Sequence, residues 1–288
     1  MTSVGFIGLG NLGGAMAEKL VEHGHDPLVF DIDDDALDTL VAAGATAADS
    51  AADLAARSDV VMLCLPSHTI VEQIVLGENG IADALSPGDI LVDTTTSEPE
   101  TTQRIQERLD EDGIDFLGAP VSGGRPGARQ QALTVMVGGD GDLLETVRPL
   151  LDAFAGNIYH VGDQPHHGHA MKLINNYLSY VNMIATTEAT LAGEALGLDL
   201  ETMLAVINDS SGRNSWSEEK FPEEVVTGEF DRGSSLNIAE KDVELGRAVV
   251  SKHGPDLELA DVVLAAIRQS KDELGGETDL TRVYEFYK

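Results

Sequence analysis

The stretch GFIGLGNLGGAM, Gly5 to Met16, begins in an apolar strand pattern and opens a helical pattern. Its glycines have the spacing G-x-G-x-x-G, which permits a tight turn, a close approach of the backbone to a pyrophosphate, and close packing of a helix on a strand. The N-terminus of such a helix offers unpaired N–H groups to an anion. The stretch therefore predicts a strand, a loop and a helix that bind a dinucleotide. The candidate cofactor residues here are Gly8, Gly10, Asn11, Leu12 and Gly13.

A second apolar run ends in Asp31, 23 residues after Gly8. A carboxylate at this place accepts hydrogen bonds from the ribose hydroxyls of an adenosine and repels a 2′-phosphate. No lysine or arginine lies between Lys19 and Arg57 to bind such a phosphate. The sequence therefore predicts NAD and not NADP as the cofactor, and the alternative is a structural glycine turn with a surface aspartate.

The first half of the chain alternates short runs rich in Val, Ile and Leu with helical patterns, which predicts a buried parallel sheet covered by helices. The capping box Ser97-x-x-Glu100 predicts the start of one of these helices. The predicted strands are 4–8, 27–31, 59–66 and 89–96, with further candidates at 115–120, 133–139 and 157–162.

Strand patterns end after about residue 163, and residues 170–196 predict one helix about 40 Å long. The predicted fold class is α/β, with an N-terminal Rossmann-type doubly wound parallel sheet (residues 1–163, dinucleotide binding) followed by an all-α C-terminal domain (residues 164–288, substrate binding and oligomerisation) built on this long interdomain helix. The helix is apolar on most sides, so we expect it to be buried between domains or subunits. We therefore expect a homodimer or a homotetramer.

The formal net charge is −32, from 50 acidic and 18 basic residues, and the acidic residues are spread along the chain. This pattern predicts a halophilic surface, because molar salt screens charges over about 3 Å; the alternative is an ordinary acidic enzyme. Nucleic acid is a poor partner for such a surface. No stretch is apolar and long enough to span a bilayer, no signal peptide is expected, and a single cysteine, Cys64, fits a reducing cytoplasm.

Ligands of a doubly wound sheet bind outside the carboxyl ends of its strands. Leu65 and Pro66 follow one predicted strand and Thr96 follows the next. These three residues are expected to line the nicotinamide side of the cofactor.

A second glycine cluster, APVSGGRPGA, follows a later strand. Ser122 offers a hydroxyl, and Gly123 and Gly124 expose backbone N–H groups, a combination that suits a carboxylate or hydroxyl ligand. The cluster is a candidate substrate site, and the alternative is a simple turn.

The stretch GHAMKLINN, Gly168 to Asn176, contains the only formally charged residue between positions 169 and 187, Lys172. In a helix, Lys172 and Asn176 lie four residues apart on one face, and Asn175 is close to them. A lysine in apolar surroundings beside a dinucleotide can have a lowered pKa, which suits acid–base chemistry. We predict Lys172 and Asn176 as catalytic residues and Asn175 as a substrate contact. The alternative is a lysine that reaches solvent from a helix start.

Three histidines, His166, His167 and His169, precede this lysine. They raise the question of a metal site, but no further residue at ligand spacing accompanies them. We therefore expect exposed loop histidines and no metal.

Four motifs in order resemble the β-hydroxyacid dehydrogenase family, which includes 3-hydroxyisobutyrate dehydrogenase and tartronate semialdehyde reductase. They are FIGLGNLGGAMA, APVSGG, GHAMKLINN and AEKDVEL, and they span residues 6–245. The resemblance implies the oxidation of a 3-hydroxy acid to its semialdehyde by NAD(P), or the reverse. It also implies that Lys172 is the catalytic lysine with Asn176 as its partner, and that Ser122, Gly123 and Gly124 bind the substrate.

The resemblance further places Lys241 near the cofactor and Asp242 in the site. The stretch DSSGRNSW is similar to the hydroxyisobutyrate branch, which makes Arg213 a candidate for the substrate carboxylate; an interdomain salt bridge is the alternative. The chain departs from the family pattern at three positions: one where glycine is usual, one where aspartate is usual, and one in a later loop. These departures leave the identity of the substrate open. They are His166, Gly118 and Gln131.

Other readings of the function stay open at this point. Within the family, a tartronate semialdehyde reductase or a glycerate, threonate or serine dehydrogenase has the same motifs. A regulatory protein that binds NAD without turnover is the alternative of another class. An imine reductase usually carries another residue in place of Lys172, and a 6-phosphogluconate dehydrogenase-like decarboxylase has a larger helical domain.

Overall fold

The computed structural model describes residues 2–255 and 258–288. Within them, one sheet contains strands β1 (Val4–Ile7), β2 (Leu28–Phe30), β3 (Thr46–Ala47), β4 (Val60–Leu63), β5 (Ile90–Asp93), β6 (Asp115–Gly118), β7 (Val121–Ser122), β8 (Leu133–Gly138) and β9 (Ala155–Gly162). The helices are α1 (Asn11–Glu22), α2 (Asp34–Ala43), α3 (Ala51–Ala55), α4 (His68–Leu76), α5 (Pro99–Asp112), α6 (Gly124–Arg129), α7 (Gly141–Leu151), α8 (Pro165–Ala195), α9 (Leu200–Asn208), α10 (Leu236–His253), α11 (Leu259–Leu274) and α12 (Val283–Tyr287). A π-helical segment, Trp216–Val226, separates α9 from α10.

The chain forms two compact units, Met1–Lys172 and Leu173–Lys288. The sheet and helices α1 to α7 belong to the first unit, and helices α9 to α12 belong to the second. The division falls within α8, directly after Lys172. Lys172 is therefore part of the same compact unit as the sheet.

The strand order is β3-β2-β1-β4-β5-β6-β8-β7, with β9 paired to β8. The six strands from β3 to β6 in this order are parallel, β8 is antiparallel to β6, and β9 is parallel to β8. The predicted doubly wound α/β sheet is confirmed, and its far edge is mixed. The chain order reverses between β1 and β4, and a crevice for ligands opens at such a point outside the carboxyl ends of the strands.

The core of the first unit lies on both faces of the sheet. Phe6 and Met62 are buried on one face, and their neighbours Ile7 and Leu63 are buried on the other. Because successive side chains of a strand alternate between faces, a sheet covered on both sides needs apolar residues without interruption. This requirement explains the apolar runs from which the strands were predicted.

The start of α5 differs from the prediction. The helix begins at Pro99 with Glu98 as its N-cap, and no side chain caps it. Ser97 instead donates its hydroxyl to Oδ2 of Asp93 over 2.9 Å, and proline is well suited to the first helical position. The predicted capping box at Ser97 and Glu100 is therefore wrong.

Helix α8 begins five residues earlier than the predicted position 170. The three histidines are thus part of the helix, and the expectation of exposed loop histidines is wrong, most clearly for His169, which is fully buried. Gly168, which precedes the predicted start of the helix, lets the helix approach the sheet. A Cβ at this position would lie 2.1 Å from the carbonyl oxygen of Gly118.

The second unit has its own apolar core. Phe221 lies in edge-to-face contact with Trp216 and with Tyr284, at centroid distances of 6.4 and 5.6 Å. Gly246 of α10 packs on α8 beside Tyr177, where a Cβ would approach the Tyr177 side chain to 3.2 Å. Across the described parts of both units, no helix has the length and apolar character to cross a membrane.

Candidate active site

The three glycines of the first loop have three different surroundings. Gly8 has a φ of +98°, which favours glycine, and a Cβ there would lie 2.3 Å from the carbonyl oxygen of Cys64. A Cβ on Gly13 would lie 2.0 Å from the carbonyl oxygen of Gly8, so α1 packs directly on the turn. A Cβ on Gly10 would meet no protein atom within 4 Å. The first and third glycines thus build the turn, and the second leaves open space at the N-terminus of α1.

This open space belongs to a cavity of about 400 Å³ beside the loop. Asp31 stands at its edge, and its carboxylate accepts hydrogen bonds from the backbone N–H of Leu9 and, over 3.0 Å, of Asp33. A carboxylate has about four acceptor positions, so both oxygens can still accept ribose hydroxyls. The cavity wall includes Gly10 and Asn11. A dinucleotide therefore fits the residues present.

Two arginines of α6, Arg125 and Arg129, also line this cavity. Both arginines lie far from Asp31 along the chain and were not predicted, because only the fold brings α6 against α1. The sequence signal for them is that the two arginines lie four residues apart, directly after the second glycine cluster. Basic groups therefore do reach the cavity that contains Asp31, which corrects the basis of the preference for NAD over NADP.

Hydrogen bonds join the carboxyl ends of β4 and β5. The backbone N–H of Leu65 donates to Oγ1 of Thr95 over 3.0 Å, and Thr94 donates its hydroxyl to the carbonyl of Leu63 over 2.6 Å. Pro66 is exposed and Thr96 is half-buried. The predicted nicotinamide-side residues therefore lie at the adjacent ends of two paired strands.

The second glycine cluster lies where β7 ends and α6 begins. Gly123 and Gly124 have φ values of +126° and +60°, a region that favours glycine, and both are exposed. Ser122 precedes them at the end of β7 and is half-buried. The cluster presents a hydroxyl followed by consecutive exposed backbone N–H groups.

Lys172 and Asn176 lie four residues apart on α8, and each is 8% exposed. The amide nitrogen of Asn176 donates to Oδ2 of Asp242 over 2.9 Å. Nζ of Lys241 lies 3.4 Å from the other oxygen of Asp242. Asn175 is half-buried, and its Nδ2 donates to Oδ1 of Asn176 over 3.5 Å. Asp242 thus fixes the orientation of the Asn176 amide.

Tyr180, one turn after Asn176 on α8, is buried in the second unit. Burial raises the pKa of Tyr180 well above its usual value, and the nearby charge of Asp242 adds to this shift. The Tyr180 hydroxyl is therefore neutral at physiological pH, and the pair of Asn176 and Asp242 has a neutral neighbour.

His166 and His167 contact each other edge to face at a centroid distance of 4.5 Å. Burial lowers the pKa of His166, and neighbouring histidines lower it further. Throughout residues 2–255 and 258–288, no group of three or more His, Cys, Asp or Glu side chains is arranged to hold a metal ion.

Arg213 lies at the surface of the second unit. Its side chain is 64% exposed, and Nε lies 3.4 Å from a carboxylate oxygen of Glu218. This ion pair lies within one unit, so it is not the interdomain bridge considered as the alternative.

Two of the departures from the family pattern have local structural explanations. A Cβ on Gly118 would lie 2.2 Å from the carbonyl oxygen of Pro165, so the start of α8 leaves no room for a side chain there. Gln131 has a φ of +57° in the turn before β8, and its amide donates to the carbonyl of Asp152 over 2.9 Å. Both residues shape the first unit.

Comparison with known protein families decides the class of the protein. A family model described as the NAD binding domain of 6-phosphogluconate dehydrogenase matches residues 3–162. A second, described as NAD-binding of NADP-dependent 3-hydroxyisobutyrate dehydrogenase, matches residues 167–287. The chain belongs to the β-hydroxyacid dehydrogenase family. As a member of this family it is an NAD-binding oxidoreductase, and the resemblance inferred from the four motifs is confirmed.

Individual family members are similar over the whole chain. The NAD-dependent L-serine dehydrogenase of Pseudomonas aeruginosa is 34% identical over 100% of this chain and 98% of its own length. The mitochondrial 3-hydroxyisobutyrate dehydrogenase of Drosophila melanogaster is 33% identical over 99% of this chain and 89% of its own. The solved structure of Mycobacterium tuberculosis 3-hydroxyisobutyrate dehydrogenase with L-serine has a TM-score of 0.91 at 29% identity, covering 100% of this chain and 99% of its own.

Imine reductases resemble this family member in fold alone. The enzyme from Myxococcus stipitatus in complex with NAD+ is 20% identical with a TM-score of 0.68, and both chains are covered completely. At this identity the likeness shows a shared fold and carries no argument for imine reduction.

Proposed function

We propose that the protein oxidises a small 3-hydroxy acid, similar to 3-hydroxyisobutyrate, to its semialdehyde with NAD, or catalyses the reverse, and that Lys172 is the general acid and base. The observation that carries this proposal is the buried pair of Lys172 and Asn176 on one face of α8, with Asn176 oriented by Asp242. A protein that only binds a dinucleotide has no need of this arrangement.

The cofactor is held by the glycine loop and by Asp31. The open space at Gly10 admits the pyrophosphate, and Asp31 accepts the ribose hydroxyls. NAD supplies the hydride acceptor when it is bound. The remaining residues proposed to contact it are Asn11, Leu12, Leu65, Pro66, Thr96 and Lys241.

Lys172 accepts and returns the proton of the substrate hydroxyl. In the oxidation Nζ takes this proton while the C–H bond gives up its hydride, and in the reduction Nζ returns it. The Asn176 amide nitrogen is engaged by Asp242. Its carbonyl oxygen accepts a long hydrogen bond from the Asn175 amide, over 3.5 Å, and has a second acceptor position for the ammonium or the substrate hydroxyl. Asn176 thereby holds the proton-transfer partners in line.

The substrate carboxylate is proposed to bind Ser122 and the N–H groups of Gly123 and Gly124, with Asn175 as a further contact. Arg213 stays a candidate for the same carboxylate. Its present ion pair with Glu218 is exposed, and exposed ion pairs contribute only about 0–1 kcal/mol, so a substrate carboxylate can replace Glu218 at little cost.

The test of this proposal is the initial rate of NAD reduction with 3-hydroxyisobutyrate, 3-hydroxypropionate, glycerate, threonate and L-serine in molar KCl. A clear preference for one acid supports a dehydrogenase and identifies its substrate; preference for glycerate or L-serine selects that branch. No turnover of any acid, with NAD binding measured separately, favours the regulatory protein that binds NAD without turnover.

Replacing Asp31 with serine is expected to change the cofactor preference. The variant loses the hydrogen bonds to the ribose, and two charge-assisted bonds of about 1.5 kcal/mol each imply a rise in the NAD Kd of roughly 100-fold. With the carboxylate gone, Arg125 and Arg129 are free to attract a 2′-phosphate, so NADP affinity rises. Fluorescence titration with both cofactors measures this. The matched control is Asp34→Ser, next to the cavity on α2, which is expected to leave both affinities within about twofold.

An unchanged ratio of NAD to NADP affinity in Asp31→Ser would contradict the assignment of Asp31 as the residue that selects the cofactor.

We further propose a cytoplasmic, halophilic homo-oligomer, a homodimer or a homotetramer, with residues 1–163 binding the dinucleotide and 164–288 completing the substrate site and the subunit contacts. The net charge of −32 supports the halophilic part. Exposed apolar side chains at helical spacing on α8 support subunit contacts; they are Met171, Ile174 and Leu178.

The halophilic proposal predicts that the melting temperature rises strongly with salt. Between 0.1 and 2 M KCl the screening length falls from about 10 Å to below about 3 Å, which removes most of the repulsion among surface carboxylates. Thermal unfolding followed by circular dichroism across this series is expected to show a steady rise in Tm. A flat or falling Tm identifies the protein as an ordinary acidic enzyme.

A further inference from the structure

The first turns of α8 lie unusually close to the sheet. A Cβ on Gly168 would lie 2.1 Å from the carbonyl oxygen of Gly118 and 2.6 Å from that of Met136. A Cβ on Gly138 would lie 2.4 Å from the carbonyl oxygen of Gln164. The backbone at the start of α8 therefore touches the ends of β6 and β8, and glycines on both sides make this possible.

His169 adds a polar attachment at the same place. Its side chain is completely buried. Nδ1 lies 2.6 Å from Oγ1 of Thr102 on α5, and Nε2 lies 3.3 Å from the carbonyl oxygen and 3.5 Å from a carboxylate oxygen of Asp93, the last residue of β5. One imidazole thus joins the helix to a strand end and to the helix that follows it.

The protonation of this ring follows from its surroundings. Burial lowers the pKa of His169, and the opposing effect of Asp93 is smaller. A neutral ring with its hydrogen on Nε2 satisfies both nitrogens: Nε2–H donates to the carbonyl of Asp93, and Nδ1 accepts the single hydrogen of the Thr102 hydroxyl, at 2.6 Å the shorter of that hydroxyl's two contacts, the other being the Glu98 carbonyl oxygen at 3.0 Å. The attachment therefore needs no charge on the histidine.

The same strand end continues toward the cofactor side of the sheet. The Asp93 carboxylate accepts hydrogen bonds from the backbone N–H of Thr95 and from the Ser97 hydroxyl, each over 2.9 Å. Thr95 in turn accepts the hydrogen bond from Leu65. His169 is therefore connected through Asp93 to the ends of β4 and β5, and it precedes Lys172 by three residues, which places the two on the same side of α8.

We propose that His169 is a positioning residue for Lys172: by binding Asp93 and Thr102 it fixes the turn of α8 that carries the lysine to the strand ends that hold the cofactor. This inference rests on the proposed function, because it concerns the placement of a lysine whose proton transfer is itself proposed. A misplacement of about 1 Å at a reacting group lowers the rate roughly 100-fold.

The test compares His169→Ala, His169→Gln and His169→Phe with the hydroxy acid that gives the highest rate in the substrate panel. We expect kcat to fall roughly 100-fold in the alanine and phenylalanine variants, with KM and the NAD Kd changed little. Glutamine keeps a donor toward Asp93 and is expected to restore kcat to within about tenfold of the original. Thr102→Val removes the Nδ1 partner together with the hydroxyl's contact to the Glu98 carbonyl, leaves the Nε2 contact with Asp93, and is expected to lie between these values.

A matched control separates positioning from general stability. Thr190→Val removes a buried hydroxyl from the same helix, where it donates to the carbonyl of Thr186 over 2.7 Å, about 27 Å beyond Lys172. We expect this variant to lower the melting temperature without changing kcat. In a Lys172→Met background, His169→Gln or His169→Ala is expected to have no further effect on the residual rate, because the residue acts through the lysine.

Labelling of Lys172 gives a readout without turnover. Acetic anhydride labelling followed by mass spectrometry is expected to acetylate Lys172 several times faster in His169→Ala than in the original protein, with Lys19 as an internal reference. Full kcat and unchanged labelling in the folded His169 variants would overturn the positioning role while leaving Lys172 in place. Turnover that survives Lys172→Met would instead overturn the proposed function.

Discussion

Replacing Lys172 with methionine lowers kcat by roughly 100- to 10,000-fold, the range that a general acid or base contributes. Methionine keeps the apolar stem of the side chain, so the fold and the NAD Kd are expected to change little. Steady-state rates and NAD titration of the same preparation measure both quantities. Lys252→Met, at an exposed lysine near the end of α10, is the matched control and is expected to keep full activity.

The pH dependence adds a second requirement on the same variant. In the original protein, the pH profile of kcat is expected to show the ionisation of Lys172. We expect this ionisation to be missing from the pH profile of Lys172→Met. A variant that keeps kcat within tenfold, or that keeps the same pH profile, would remove Lys172 from the mechanism and leave another residue to carry the proton.

Gly13→Ala is expected to lower stability and Gly10→Ala to weaken NAD binding, although the two residues lie three positions apart in one loop. A Cβ at Gly13 would lie 2.0 Å from a backbone oxygen, and forcing such a contact costs about 3 kcal/mol. For a protein of this size that lowers Tm by roughly 5–10 °C. A Cβ at Gly10 meets no protein atom within 4 Å, so Gly10→Ala keeps the fold and obstructs the pyrophosphate.

Thermal unfolding and NAD titration separate the two cases. We expect Gly10→Ala to keep its melting temperature within about 2 °C and to raise the NAD Kd by about tenfold or more, a loss of at least about 1.4 kcal/mol of binding free energy. Tight NAD binding by Gly10→Ala would show that the cofactor does not approach the loop backbone at this residue.

Much of the first unit could be predicted because local and tertiary demands agree. Buried parallel strands need continuous apolar runs, and the bounds of helix α2 agree with local signals, since Asp33 caps one end and Gly44 has a φ of +118° at the other. Strands β3 and β7 were missed because each has only two residues, too short for any periodic pattern.

The errors lie where one residue has two possible uses. Ser97 suits a helix cap by its sequence, but a buried Asp93 takes its hydroxyl. Gly168 suggests a helix boundary, yet close contact with β6 and β8 is what requires glycine there. A sequence pattern records the local preference and cannot show which distant partner competes for the residue.

The motifs of the candidate site could be predicted from the sequence, but the contacts between residues distant in the chain could not. Lys172 and Asn176 follow from their helical spacing, whereas the hydrogen bond from Asn176 to Asp242 joins residues 66 positions apart. Arg125 and Arg129 reach the cavity of Asp31 for the same reason, since the fold brings distant segments together. Burial of His169 likewise became visible only when the start of α8 was seen against the sheet.

The most direct test of the central claim is the distance from Nζ of Lys172 to the hydroxyl oxygen of the preferred hydroxy acid, in a crystal structure of the protein with NAD and that acid. Proton transfer by this lysine predicts a hydrogen bond of about 2.6–3.2 Å, directly or through one water, with the Asn176 carbonyl oxygen next to the same pair. A substrate hydroxyl bound to another titratable side chain, with Lys172 turned away, would contradict the account.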